Sequence, residues 1–126
     1  MNANKKVLIV DDDERNRKLL ETLLRADGYL VAAVESGRAT LSAVVNDRPD
    51  LILLDLMMPG MDGFEVVRRL KSDADFRDIP VVMVTALDDS GSHLRLLAAG
   101  VADFLIKPVD RWKLKALLER LLGNPG

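Results

Sequence analysis

The sequence predicts an α/β fold: a parallel five-stranded sheet with five helices shared between its two faces. Three observations support this. The runs Val7–Val10, Leu51–Leu54 and Val81–Val84 are short, rich in β-branched residues, and continuous where a strand buried on one side only would alternate. Stretches with leucine and valine at helical spacing lie between them. The two kinds of segment alternate along the chain, and parallel strands joined by right-handed crossovers need helices on both sides.

In chain order, the first strand is Val7–Val10, followed by a helix with Leu19, Leu20, Leu23 and Leu24 on one face. That helix should stop at Gly28, where a left-handed cap costs little. Leu30–Val34 is a weaker strand candidate. Ser36 then caps a helix presenting Leu41, Val44 and Val45, and Pro49 forbids its continuation. After Leu51–Leu54, the segment Met58-Pro59-Gly60-Met61-Asp62-Gly63 has turn chemistry, and Asp62 with Glu65 forms the pattern of a capping box for a helix through Leu70. A charged loop, Ser72 to Pro80, leads to the fourth strand, Val81–Val84. A helix over Ser90–Ala99 ends at Gly100, Asp103–Ile106 is the fifth strand, and Asp110 caps a last helix. Its stripe is Leu114, Leu117, Leu118, Leu121 and Leu122; Trp112 falls off that stripe and is expected to be partly exposed.

Composition narrows the function. The 126 residues suit one domain with one core. Eighteen basic against twenty acidic side chains give a net charge of −2, so the bulk electrostatics offer a polyanion no attraction, and direct nucleic-acid binding is disfavoured. The absence of cysteine excludes disulfides and thiolate chemistry. No apolar run approaches the roughly 18 residues of a spanning helix, and Met1 to Lys6 lacks a signal-like apolar segment; a cytoplasmic protein without membrane attachment is expected.

Ligands of open parallel sheets bind beyond the carboxyl ends of the strands. The residues there are Asp11, Asp12 and Asp13 after the first strand, Asp55 after the third, Thr85 and Ala86 ending the fourth, and Lys107 and Pro108 after the fifth. Two like charges about 4 Å apart repel by roughly 4 kcal/mol at an effective dielectric of 20, so gathered carboxylates call for positive charge. Magnesium, which favours a few carboxylates with water and phosphate oxygens, supplies it; a dication and Lys107 together neutralise Asp11, Asp12 and Asp55. Such a site suits phosphoryl transfer with Asp55 as nucleophile and with Lys107 and Thr85 binding the phosphoryl oxygens. Asp13 reads as a helix cap. Met57, Met58 and Met61 read as adaptable packing, and His93 as a surface or packing histidine.

Val10-Asp11-Asp12, Leu54-Asp55-Leu56-Met57-Met58-Pro59-Gly60-Met61-Asp62-Gly63, Val84-Thr85-Ala86 and Phe104-Leu105-Ile106-Lys107-Pro108 resemble the receiver domain of two-component response regulators. Four pieces in order, each at the end of an apolar strand, make the resemblance specific, and it spans almost the whole chain. It implies a flavodoxin-like, CheY-like sheet of order 2-1-3-4-5 over residues 5–122, with tails at 1–4 and 123–126. It also implies that Asp55 accepts a phosphoryl group from a sensor histidine kinase or a histidine phosphotransfer protein. Asp12 becomes a direct Mg2+ ligand, Asp11 a ligand acting largely through water, and the Met57 carbonyl the remaining protein ligand. Thr85 is the hydroxyl that moves toward the phosphoryl group, Phe104 the rotating aromatic in place of the commoner tyrosine, and Lys107-Pro108 a peptide that is usually cis. The side chains of Met57 and Leu87 flank the water that removes phosphate; both are apolar, which implies slow dephosphorylation. The fourth helix, fifth strand and fifth helix, with Arg95, Phe104 and Trp112, form the face for an output protein or domain or for a homodimer. Arg15 and Lys18 lie where a phosphodonor docks.

Three other functions compete. An aspartyl-phosphate phosphatase commonly carries a second aspartate two positions after its nucleophile, and Met57 stands there. This argues for a phospho-acceptor that catalyses its own transfer and against an enzyme turning over an external substrate. A flavin or nucleotide binder would need a phosphate cradle of small residues, whereas Asp11-Asp12-Asp13 repels phosphate. A degenerate receiver serving only as a scaffold would lack some chemically needed position, and every one is filled.

Overall fold

The structure is a computed structural model that describes residues 5–86 and 90–123. Five strands, β1 (Lys6–Val10), β2 (Leu30–Val34), β3 (Leu51–Asp55), β4 (Val81–Thr85) and β5 (Asp103–Ile106), alternate with five helices. These are α1 (Glu14–Ala26), α2 (Gly37–Asn46), α3 (Gly63–Lys71), α4 (Ser90–Ala98) and α5 (Arg111–Leu122). All pairings are parallel and the order is β2-β1-β3-β4-β5, so the order reverses between β1 and β3. Ligands of doubly wound sheets bind at such a reversal.

The continuous apolar strands follow from burial on both sides. Leu8, Val10, Ile52, Leu54, Val81 and Met83 join one core with Val44 of α2, Val66, Val67 and Leu70 of α3, and Leu96 of α4. Their neighbours Val7, Ile9, Leu51, Leu53, Val82 and Val84 join the other core with Leu20 and Leu24 of α1 and Leu114, Leu117 and Leu118 of α5. Side chains alternate across a strand, so a chain covered on both faces needs apolar residues at every position. The weaker pattern at Leu30–Val34 has the converse cause: β2 is an edge strand, and none of its residues is fully buried.

Local signals set the helix starts. The Asp13, Ser36, Asp62 and Asp110 side chains each accept a backbone N–H of the first turn that follows. Gly28, with φ 92°, ends α1 in a region closed to most side chains. Several expectations need correction. Leu19 is 52% exposed, and Val45 is also exposed, because α1 and α2 each bury a narrower stripe than their apolar residues suggest. The capping box at α3 is half formed: Asp62 accepts from the Glu65 N–H at 3.0 Å, but the Glu65 carboxylate turns to Arg68 at 2.6 Å. Strands β3 and β4 run one residue further than the apolar runs, to Asp55 and Thr85, since the ladder tolerates a polar residue at its end. Among the described residues no helix is long and apolar enough to cross a membrane.

Candidate functional site

The carboxyl ends of β1, β3, β4 and β5 bring the expected residues to one edge. Asp11 follows β1, and its N–H bonds Val34 O of β2 at 3.2 Å, which fixes its backbone to the sheet. Asp55 ends β3 and Thr85 ends β4; both are buried. The Lys107 N–H donates to Thr85 O at 2.8 Å and so prolongs the β4–β5 ladder by one residue. The Lys107–Pro108 peptide bond is cis.

Asp11 is 2% exposed and Asp55 4% exposed, whereas Asp12 faces solvent. Asp11, Asp12 and Asp55 each offer a carboxylate oxygen, and the three oxygens lie within 4.8 Å of one another. Lys107 Nζ donates to Asp55 Oδ1 at 3.1 Å and stands 3.5 Å from Asp11 Oδ2. The other Asp11 oxygen accepts the Asp13 N–H at 2.9 Å. One ammonium therefore serves two buried carboxylates, and a charge deficit remains.

Burial first, and the charge balance after it, show in the acidities. Burial pushes the Asp55 carboxyl up from 3.8 to about 6; the Lys107 hydrogen bond opposes the rise, and the charge of Asp11 adds to it. Burial works against the Lys107 charge, yet the bond to Asp55 and the fields of Asp55 and Asp11 raise its pKa above the ordinary lysine value. Three oxygen donors of net negative charge, converging beside the Lys107 ammonium, fit a hard divalent ion such as Mg2+.

Sequence reasoning missed three supports. Arg17, one turn into α1, donates to the Asp11 carbonyl at 2.7 Å and ties α1 to the end of β1; no sequence pattern marks a side chain that bonds a backbone carbonyl six residues back. Gly63 opens α3 tight against the acceptor strand: a Cβ there would stand 2.9 Å from Leu56 Cα and 3.0 Å from Asp55 O. Asn16 lines a cavity of about 320 Å³ with Asp11, Leu20, Val84, Lys107 and Val109.

The remaining candidates spread outward. Met57 is 67% exposed, while Met58 is buried and Met61 packs against the α2–α3 core. Phe104 pairs in register with Met83 and stacks on His93 of α4. Trp112 is exposed between Arg111 and Lys115, whose cationic groups lie 5.4 and 5.8 Å from its ring. Arg15 and Lys18 are exposed on α1, and Leu87 lies outside the described residues.

Fold and site define a doubly wound α/β protein with an acidic, lysine-closed centre at its switch edge. The family model of the response regulator receiver domain matches residues 7–119, and the chain belongs to that family. It is 50% identical over 105 residues to the response regulator PleD of Caulobacter vibrioides, a match covering 83% of this chain and 23% of PleD. The chemotaxis protein CheY4 of Vibrio cholerae superposes with a TM-score of 0.88 at 31% identity, over 94% of this chain and 99% of that one. The receiver domain of the sensor histidine kinase PA1611 of Pseudomonas aeruginosa superposes with a TM-score of 0.87 at 32% identity, over 97% of this chain and all of the other, and holds a magnesium ion in its active-site cleft. The chain spans about half or less of the curated relatives it matches.

Proposed function

We propose that this receiver domain, residues 5–122 flanked by tails 1–4 and 123–126, takes a phosphoryl group onto Asp55 from a sensor histidine kinase or a histidine phosphotransfer protein. The observation that carries the reading is a buried carboxylate at the end of β3, held 3.1 Å from one lysine and hemmed by two further carboxylates. At pH 7 a carboxyl with a pKa of about 6 is about nine-tenths ionised, and its charge is poorly solvated, which favours attack. An Asp55 oxygen forms a bond to phosphorus while the bond from phosphorus to the donor nitrogen breaks in line, and the donor leaves as neutral imidazole after taking up a proton. Lys107 binds a phosphoryl oxygen with its ammonium, and the Thr85 hydroxyl moves to another.

Asp12 directly, Asp11 largely through water, Asp55 and the Met57 carbonyl would hold Mg2+. Bound there, the ion neutralises charge on the transferred group. Movement of Thr85 draws Phe104 along and biases the α4–β5–α5 face, with Arg95 and Trp112, toward an output protein or domain or a second copy of the chain. The domain itself contacts neither nucleic acid nor membrane, and it works in the cytoplasm. Arg15 and Lys18 receive the phosphodonor. The domain catalyses its own phosphorylation and slow dephosphorylation and does not turn over an external substrate.

The test is incubation with a small acyl phosphate and Mg2+, followed by intact-mass measurement of wild type and Asp55→Asn. The expected result is addition of one phosphoryl group to wild type alone. Equal labelling of both, or none on folded metal-loaded protein, would refute the reading; sustained phosphate release from varied substrates would favour a phosphatase.

A further inference from the structure

The His93 ring lies against the Phe104 ring with centroids 3.9 Å apart and planes inclined by 30°. We propose that His93 is a positioning residue for Phe104, holding its ring against α4 and so setting how readily the domain adopts its phosphorylated arrangement. The inference rests on the phospho-acceptor reading above and adds to it a residue on a different element.

Two features give His93 a fixed place from which to hold the ring. Leu96, one turn further along α4, is fully buried in the core that contains Met83, the register partner of Phe104. Arg95 lies 4.8 Å over the Phe64 ring of α3, which ties α4 to its neighbour on the other side. These two contacts seat α4 against the core and α3, with the His93 ring half-buried between helix and sheet.

In the switching proposed above, Phe104 moves toward Thr85. Met83 pairs with Phe104 and Thr85 with Ile106, so Phe104 and Thr85 stand on the same face of the sheet, two residues apart in register. Two residues of strand span roughly 6.6 Å. A ring that moves a few ångströms along that face toward Thr85 leaves a 3.9 Å contact behind. The stack thus belongs to one of the two arrangements only, and a contact made in one state alone shifts the balance between them by its whole worth.

Three variants separate this role from simple packing: His93→Phe keeps a ring, His93→Leu keeps bulk without one, and His93→Ala removes both. The measurement is the affinity of each protein for beryllofluoride in saturating Mg2+, with Mg2+ affinity alone as control and circular dichroism to confirm folding. His93→Leu and His93→Ala should bind beryllofluoride about 2- to 12-fold more tightly than wild type, the range one aromatic pair supplies. His93→Phe should stay within about 2-fold of wild type, and Mg2+ affinity should not change. The NMR ring-current shifts of Phe104 should be large in wild type and His93→Phe and collapse when the probe binds. His93→Leu matching wild type, or His93→Phe shifting as far as His93→Leu, would overturn the inference while wild type still binds the probe. Wild type that binds no beryllofluoride would overturn the phospho-acceptor reading, and this inference with it.

Discussion

Replacing Asp55 with asparagine should stabilise the metal-free protein at neutral pH, although it removes the group on which the proposed function depends. Burial raises the Asp55 carboxyl from 3.8 to about 6, so the folded state binds a proton more tightly than the unfolded chain does. The contribution of this group to stability is therefore full below about pH 4 and is lost as pH rises through 6. A difference of about two pKa units corresponds to about 3 kcal/mol at pH 7.5. Asparagine removes that cost; the charge-assisted bond to Lys107 that it gives up is already contained in the value of about 6. The net expectation is a gain of about 3 kcal/mol at pH 7.5 in EDTA, shrinking toward zero near pH 4. Urea denaturation followed by far-UV circular dichroism across that range reads it directly. A variant less stable than wild type at pH 7.5, or an advantage that stays constant with pH, would refute the electrostatic argument.

Other expectations follow from the same geometry. Lys107→Met removes the cation 3.1 Å from Asp55, so the acceptor pKa should climb further and labelling by an acyl phosphate at pH 7 should slow by 10²-fold or more, read by intact mass. Wild type should gain about 2.7 kcal/mol of stability at a Mg2+ concentration one hundred times Kd, whereas Asp12→Asn should lose most of that gain with its metal-free stability nearly unchanged, since Asp12 is exposed; equal Mg2+ stabilisation of both would remove Asp12 from the ligand set. Gly63→Ala should cost about 1–3 kcal/mol and slow labelling, because its Cβ meets unyielding backbone 2.9 Å away at Leu56 Cα. Polar residues at both Met57 and Leu87 should accelerate autodephosphorylation, and an unchanged rate would remove those side chains from the hydrolytic step.

The two-sided burial of β1, β3 and β4 was legible because apolar residues at every position answer to two helical layers. Asp11, Asp12, Asp55, Thr85 and Lys107 were legible as a set because the end of a parallel strand is a known address in space. What could not be read depends on packing between elements distant in the chain. Leu19 shares the spacing of Leu20 and Leu23, and only the placement of α1 on the sheet decides that its side chain is half exposed. Glu65 had a capping partner in sequence, but arginines on its own helix, at Arg68 and Arg69, compete for it. The His93–Phe104 stack has no sequence signature, because the two residues meet only once α4 docks beside β5.

The shared contact of Lys107 with Asp11 and Asp55 has a consequence during synthesis. A nascent chain leaving the ribosome exposes Asp11, Asp12 and Asp55 well before residue 107 emerges. Until then, pairing of β1 with β3 brings Asp11 and Asp55 together without the ammonium they share. Arrival of β5 brings Lys107 with it and relieves that repulsion as the sheet is completed, so a chain that ends before Asp103 lacks both the last strand and the ammonium that Asp11 and Asp55 share.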